Sequence, residues 1–123
     1  MRVATARHAA DLLAPLFAGA RDEGVAAMHA DDAGRLLAID EFGGGADQIA
    51  LPIRFILRRA LNLGAQGLVI AHNHPSGEPA PSPADIAATR QLAAACEMLG
   101  VTLHDHLIFA RSGCESFRRL GLL

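Results

Sequence analysis

The spacing of apolar residues changes several times along this 123-residue chain, and each spacing indicates one kind of secondary structure. Apolar positions three and four residues apart are typical of a helix that packs one face on a core, whereas short, unbroken apolar runs are typical of strands inside a sheet. The pattern predicts the order α-β-β-α-β-α-β, which gives a mixed sheet covered by helices. The predicted helices are 6–20, 52–63 and 83–99, the predicted strands are 23–30, 34–42, 66–72 and 101–109, and the tail 115–123 is predicted to add a small turn.

Prolines and glycines mark where these elements begin and end. Thr5 is predicted to cap the first helix, and Pro15 is predicted to kink it or to delay its regular start. Pro52 suits the opening of the second helix, and Gly64 suits its C-terminal cap. The glycines at 43–45 predict a flexible break after the second strand.

Composition narrows the classes of protein. Hydrophobic residues make up 51% of the chain, which predicts one globular domain over residues 1–123. No apolar run reaches the ~18 residues of a membrane span, and the N-terminal segment resembles an amphipathic helix more than a signal peptide, so we expect a cytoplasmic protein. The net charge of −2 disfavours a nucleic-acid partner, which usually meets a basic face. Cys96 and Cys114 lie far apart without a CxxC motif and are predicted to be buried small residues.

The stretch 71–86, AHNHPSGEPAPSPADI, gathers the polar chemistry of the chain. A strand that runs through His72 and His74 places both imidazoles on one face, because side chains alternate along a strand. Ser82 before a proline predicts a helix N-cap, and Asp85 then lies in the first turn, where the helix dipole favours a carboxylate. Two imidazoles and one carboxylate on rigid elements form a three-ligand set with an open fourth position, as in catalytic zinc sites. The alternative is a proline-rich loop with incidental histidines, but the convergence of three ligands favours a metal.

A second pair of histidines occurs in the sequence His104-Asp105-His106. On a strand the two histidines would share one face, yet no third ligand for a second metal is evident. We expect a structural role for this motif, or a hydrogen bond to a ligand of the first site. His8 and His29 are expected to be structural or surface residues.

The spacing HxHx7SxxD, from His72 to Asp85, resembles the signature of the JAMM (MPN-plus) metalloproteases, and HNHPSG together with DHLIF at 105–109 resembles the RadC family in particular. The resemblance extends from about residue 5 to the C-terminus. It implies a three-layer α/β/α mixed sheet, the cytidine-deaminase-like JAB1/MPN fold. It also implies that Zn²⁺ is held by His72, His74 and Asp85.

The resemblance extends to an upstream glutamate at the start of the strand after the first helix, and Glu23 matches that position. Asp31, eight residues further on, matches the aspartate that ends the same strand in RadC-like sequences. Asp22 is the neighbouring alternative, with its side chain on the other face, and Glu41 is less suitable because it lies at the far end of the next strand. Asn73 alternates to the face opposite the two histidines, where we expect it to fix the loop.

The chemistry implied by the resemblance is metal-assisted hydrolysis of an amide bond. Glu23 would act as general base on a zinc-activated water and return the proton to the leaving amine. Ser82 has two interpretations of equal weight, a donor that stabilises the oxyanion and a purely structural N-cap. The substrate is not implied, so the partner is an unidentified protein or peptide, and the oligomeric state is open.

Two other classes of function are open. RadC-like proteins carry an association with DNA repair, and longer members have an N-terminal helix-hairpin-helix region, which we expect to be absent because the chain starts at the JAMM-type domain. Some MPN domains have lost the ligands and act as binding modules. An HNH nuclease is disfavoured because the charge balance gives no phosphate-binding stripe, and a zinc deaminase is disfavoured because HxE paired with PCxxC is missing.

Overall fold

Three helices and five strands make up the computed structural model, which describes residues 6–45 and 51–123. None of the helices in these ranges has the length and hydropathy needed to cross a bilayer. The helices are α1 (Ala6–Phe17), α2 (Ile53–Leu63) and α3 (Pro83–Met98), and the strands are β1 (Glu23–Ala30), β2 (Leu36–Gly45), β3 (Gly67–His74), β4 (Thr102–Ala110) and β5 (Gly113–Ser116).

The strands form one mixed sheet in the order β2-β1-β3-β4-β5. β1 is antiparallel to both β2 and β3, β3 is parallel to β4, and β5 returns antiparallel beside β4. A parallel pair needs a long crossover connection, and α3 provides it. β3 therefore lies at the centre of the sheet, and its carboxyl end carries His72 and His74.

Two hydrophobic cores, one on each face of the sheet, produce the three layers. α1 packs on one face through Ala9 and Leu13. α2 and α3 pack on the other face through Ile56 and Leu92. Each large side chain buried in this way stabilises the fold by roughly 1.5–3 kcal/mol. The predicted α/β fold with a mixed sheet between helices is confirmed.

The helix ends follow the prolines and glycines only in part. α1 continues past Pro15 but ends at Phe17, three residues before the predicted end. The predicted cap Thr5 lies outside the described residues. Pro52 is the residue before α2 rather than its first residue, and Gly64 is the predicted C-terminal cap, with a left-handed φ of 67°.

The flexible break predicted at 43–45 is wrong, because these glycines extend β2. Gly43 pairs with Gly24 and Gly45 pairs with Glu23, with an irregular register between the two pairs. A Cβ on Gly43 would lie 3.5 Å from the Cα of Gly24, an ordinary contact distance, so the strand does not require glycine at this position. Pairing with β1 supplies the hydrogen bonds that the local sequence alone does not indicate.

The C-terminal tail contains the predicted turn at 117–121, but the sequence did not indicate β5 before it. This short edge strand exposes Cys114, contrary to the prediction that both cysteines are buried. Cys96 is buried in α3 as predicted, and burial raises the pKa of its thiol to about 11.

An irregularity in β4 separates the second pair of histidines. The pairing with β3 jumps from Leu103 to Asp105, so His104 is an extra residue in the strand. His104 is exposed with its ring beside Gly67, whereas His106 is buried. The prediction that the two rings share one face is therefore wrong, and with it the basis for a second metal site is lost.

Candidate metal centre

The end of β3 and the first turn of α3 bring three candidate ligand side chains together. Nε2 of His72 and Nε2 of His74 lie 2.9 Å apart. Nε2 of His72 lies 3.4 Å from Oδ1 of Asp85, and Nε2 of His74 lies 3.2 Å from Oδ2 of the same carboxylate. The side chains of His72, His74 and Asp85 are 8%, 15% and 12% exposed. The predicted convergence of the two strand histidines with the helix aspartate is present.

Ser82 holds Asp85 in place through a reciprocal pair of hydrogen bonds. Oγ of Ser82 accepts the N–H of Asp85 at 3.0 Å, and Oδ2 of Asp85 accepts the N–H of Ser82 at 2.8 Å. This is a capping box, and it confirms Ser82 as the N-cap and Asp85 as a first-turn residue. Burial opposes ionisation of Asp85, but hydrogen bonds from His72 and from the Ser82 N–H outweigh it and hold the pKa of Asp85 well below its usual value.

The hydrogen bond made by Nδ1 of His74 determines which nitrogen of its ring can bind a metal. Nδ1 of His74 lies 2.8 Å from the carbonyl oxygen of Glu78. A carbonyl only accepts, so Nδ1 must carry the hydrogen, and a neutral His74 then has its lone pair on Nε2, facing the other two ligands. Ligands held 2.0–2.2 Å from a tetrahedral zinc ion lie roughly 3.3–3.6 Å apart. The separations of 2.9, 3.2 and 3.4 Å are close to that spacing, so these residues fit zinc.

Glu23 reaches the same imidazoles from β1. One carboxylate oxygen of Glu23 and one ring nitrogen each of His72 and His74 all lie within 4.8 Å of one another. The pairing of Val25 with His72 aligns the start of β1 with the end of β3, which brings Glu23 beside His74. Glu23 and Asp85 therefore both meet the same two rings.

A recess of about 420 Å³ opens beside Glu23. Its walls include the aromatic rings of Phe17 and Phe42 and the carboxylates of Asp22 and Glu41. Asp22 and Glu41 are exposed and lie outside the cluster formed by Glu23 and the two histidines. Of the three candidate carboxylates, the structure places only Glu23 within this distance of the imidazoles.

Asn73 joins the ligand strand to the segment that carries Glu23. Its side chain is buried, and its Oδ1 accepts the N–H of Gly24 at 2.7 Å. Its Nδ2 donates to the carbonyl oxygen of Asp22 at 3.0 Å. Asn73 thus binds the backbone on both sides of Glu23, and it fixes the start of β1 rather than the loop after β3.

His106 contacts a candidate ligand, as the sequence suggested, whereas Thr89 was missed. Nε2 of His106 lies 2.6 Å from Nδ1 of His72, and Nδ1 of His106 lies 2.6 Å from Oγ1 of Thr89. The ring of His106 stacks on Phe117 with centroids 4.5 Å apart. Burial lowers the pKa of His106 to about 3, helped by the nearby His72. Thr89 lies one helical turn after Asp85, and that spacing is the signal that could have identified it.

The other polar residues singled out by the sequence have structural contacts. Asp105 is buried and accepts hydrogen bonds from the hydroxyl of Ser116 and the N–H of Arg118, which ties the C-terminal segment to β4. His29 is fully buried, with Nε2 3.1 Å from Oδ2 of Asp40, so it is a structural residue and not a surface one.

The fold and the cluster define a three-layer α/β domain in which a central strand and a helix start bring together side chains that could hold one metal ion. Comparison with known families agrees with this class. The profile of the family described as the RadC-like JAB domain matches residues 3–122. The chain belongs to that family.

Relatives named UPF0758 proteins are similar to much of the chain. The relative from Ruegeria pomeroyi is 49% identical over 80 residues, which cover 65% of this chain and 36% of that protein. The relative from Rhodobacter capsulatus is 47% identical over 94 residues (75% and 44%), and the relative from Aquifex aeolicus is 41% identical over 104 residues (84% and 45%). The chain spans less than half the length of these relatives, and their names state no activity.

Proposed function

We propose that this domain is a zinc-dependent hydrolase that cleaves an amide bond in a peptide or protein. The observation that carries the proposal is the convergence of His72, His74 and Asp85 at 2.9–3.4 Å, with Glu23 within 4.8 Å of both imidazoles. Three protein ligands with a carboxylate nearby are the arrangement of a catalytic rather than a purely structural zinc site.

Each residue has a separate task in this proposal. His72, His74 and Asp85 would hold the ion, which when bound supplies a water of lowered pKa and polarises the scissile carbonyl. Glu23 takes a proton from the attacking water and delivers it to the leaving amine nitrogen as the carbon–nitrogen bond breaks. The hydroxyl oxygen of Ser82 accepts from the Asp85 N–H. In this proposal its hydrogen is donated, during the reaction, to the carbonyl oxygen on which negative charge develops. The structural and catalytic interpretations of Ser82 are therefore compatible.

Metal analysis tests the ligand set. We expect purified protein to hold stoichiometric zinc, and we expect His74→Ala and Asp85→Ala to lose it. His104→Ala and Asp32→Ala are matched controls, because both residues are exposed and lie outside the cluster. Protein purified without chelator that contains no zinc and takes up none on addition would overturn the metal site. Zinc retained by both ligand variants would overturn the ligand assignment.

A second experiment tests the role of Glu23. Digestion of a peptide library by the zinc-loaded protein, read by mass spectrometry, should show cleaved amide bonds. Glu23→Gln should keep zinc and lose cleavage, whereas Glu41→Gln, an exposed carboxylate on the wall of the same recess, should keep both. Full cleavage by Glu23→Gln would show that another group is the base. Zinc without cleavage of any peptide would favour a binding module, and metal-dependent nicking of DNA that is lost in Asp85→Ala would favour the nucleic-acid alternative.

A further inference from the structure

A series of buried hydrogen bonds connects two of the candidate ligands, Asp85 and His72, through residues outside the ligand set. Oγ1 of Thr89 lies 2.7 Å from the carbonyl oxygen of Asp85 and 2.6 Å from Nδ1 of His106. Nε2 of His106 lies 2.6 Å from Nδ1 of His72. Thr89 and His106 are each 1% exposed, and His72 is 7% exposed. The series thus runs from the backbone of Asp85 in α3, through β4, to the ring of His72 in β3.

The number of hydrogens that these groups carry fixes the donor and the acceptor of each hydrogen bond in the series. The hydroxyl of Thr89 has one hydrogen, and the carbonyl of Asp85 has none to offer. At 2.7 Å the two oxygens need a hydrogen between them, so Thr89 donates to Asp85 and its lone pair faces His106. Nδ1 of His106 lies 2.6 Å from Oγ1 of Thr89 and faces that lone pair, so Nδ1 must carry a hydrogen.

The second nitrogen of His106 then accepts. The ring is packed on Phe117, and its nitrogens contact the Thr89 hydroxyl and the His72 ring, so no carboxylate touches it to stabilise a charged form. A neutral His106 with its hydrogen on Nδ1 has a lone pair on Nε2. The 2.6 Å contact with His72 therefore requires the hydrogen to lie on Nδ1 of His72.

We infer that Thr89 and His106 are positioning residues that hold His72 in the tautomer whose Nε2 lone pair faces the metal. The inference deepens the proposed metal site and rests on it. With the opposite tautomer, Nε2 of His72 would carry a hydrogen and could not bind an ion. Groups of this kind that orient a ligand commonly change metal affinity by about 10- to 100-fold when removed. His74 is fixed in the same tautomer by a single backbone carbonyl, so only His72 depends on side chains elsewhere in the fold.

The tautomer can be observed directly in metal-free protein. Long-range ¹H–¹⁵N spectra of histidine side chains distinguish a ring nitrogen that carries a hydrogen from one that does not. We expect Nδ1 of His72 and Nδ1 of His106 each to carry a hydrogen. A bare Nδ1 on His72 in the folded protein would overturn the inference, whether or not the protein binds zinc.

Substitution at Thr89 tests the consequence for the metal. Thr89→Val keeps the shape of the side chain but removes the hydroxyl, so nothing holds the hydrogen of His106 on Nδ1. We expect zinc affinity, measured by competition with a chelator, to fall about 10- to 100-fold. Thr89→Ser keeps the hydroxyl and should restore affinity close to wild type, and Thr102→Val is a control at an exposed threonine.

The outcomes separate this inference from the proposed function. Wild-type affinity in a folded Thr89→Val variant, with His72 still carrying its hydrogen on Nδ1, would overturn the positioning role. If wild-type protein binds no zinc, the proposed function fails, yet the tautomer of His72 still decides whether Thr89 and His106 fix it. If Thr89→Val does not fold, the spectra of the wild type and the affinity of Thr89→Ser remain decisive.

Discussion

Replacement of Asn73 by alanine should detach the start of β1 from β3 and displace Glu23 without removing a metal ligand. The side chain of Asn73 is 4% exposed and makes two hydrogen bonds, to the N–H of Gly24 at 2.7 Å and to the carbonyl of Asp22 at 3.0 Å. Both partners are backbone groups, and they flank Glu23 on either side. The substitution therefore acts on the position of Glu23 and not on its chemistry.

The size of the effect follows from the two bonds. A buried backbone group that loses its partner costs about 1–3 kcal/mol, and the end of a strand lies towards the lower part of that range because water reaches it. We therefore expect the free energy of unfolding to fall by roughly 2–4 kcal/mol. For a chain of 123 residues this corresponds to a decrease in melting temperature of roughly 10 °C.

Catalysis should fall while zinc binding is kept. Asn73 lies on the face of β3 opposite the rings of His72 and His74, so the ligands stay in place. A displacement of the base by about 1 Å can reduce the rate by up to roughly 100-fold. Asn73→Ala should thus resemble Glu23→Gln, with zinc retained and hydrolysis lost.

Thermal unfolding, zinc analysis and peptide cleavage together test this prediction. Asn62→Ala is the matched control, since Asn62 is exposed on α2. Asn73→Asp keeps an acceptor for the Gly24 N–H but turns an oxygen towards the carbonyl of Asp22, so it should also be less stable than wild type. A melting temperature of Asn73→Ala equal to that of Asn62→Ala would refute the role of the two bonds. Loss of zinc in Asn73→Ala would show that Asn73 supports the ligands rather than Glu23.

Three further predictions concern the cap, acid stability and metal removal. Ser82→Ala should lower the free energy of unfolding by about 1 kcal/mol and Ser82→Gly by only a few tenths, because glycine is a tolerable N-cap. Loss of cleavage in both variants would identify the hydroxyl as the catalytic donor. Full cleavage in both would leave Ser82 as a cap only. Burial lowers the pKa of His29, partly opposed by Asp40, so the unfolded chain takes up more protons as the pH falls below about 6.5 and stability is lost there. Urea unfolding of metal-free protein between pH 7 and pH 5 should therefore show a weaker pH dependence in His29→Gln than in wild type, and equal slopes would contradict this. Free zinc at 100 times the dissociation constant should stabilise the wild type by about 2.7 kcal/mol, and removal of zinc with a chelator should abolish this gain. The same treatment should leave the free energy of unfolding of Asp85→Ala unchanged.

The candidate ligands could be predicted from the sequence because each depends on local structure. His72 and His74 share a face wherever the chain is a strand, and Ser82 followed by proline begins a helix wherever it lies. The buried, unbroken apolar run that precedes His72 indicated that strand, and the structure extends it to His74. Nothing beyond the stretch from His72 to Asp85 was needed to bring the three side chains towards one point.

The supporting contacts could not be predicted because they join distant parts of the chain. Asn73 binds Gly24 and Asp22, which precede it by 49 and 51 residues. The extra residue at His104 arises from the pairing of β4 with β3, and no pattern within β4 indicates it. Glycine-rich segments carry the least information of all, because the partner strand decides whether they pair or remain a loop.

The three residues His72, Asn73 and His74 show how the fold and the site depend on the same pattern. Alternation along β3 sends the two imidazoles to the α3 side, where Asp85 contacts both rings and His106 contacts His72. It sends Asn73 to the opposite side, where it binds the start of β1. A shift of one residue in the pairing of β3 would exchange these faces and turn both imidazoles away from Asp85. Burial on both faces of β3 prevents that shift, because its apolar residues pack against α1 on one side and against α2 and α3 on the other. The hydrophobic core therefore fixes not only the sheet but also which side chains face the candidate metal site and which hold Glu23 beside it.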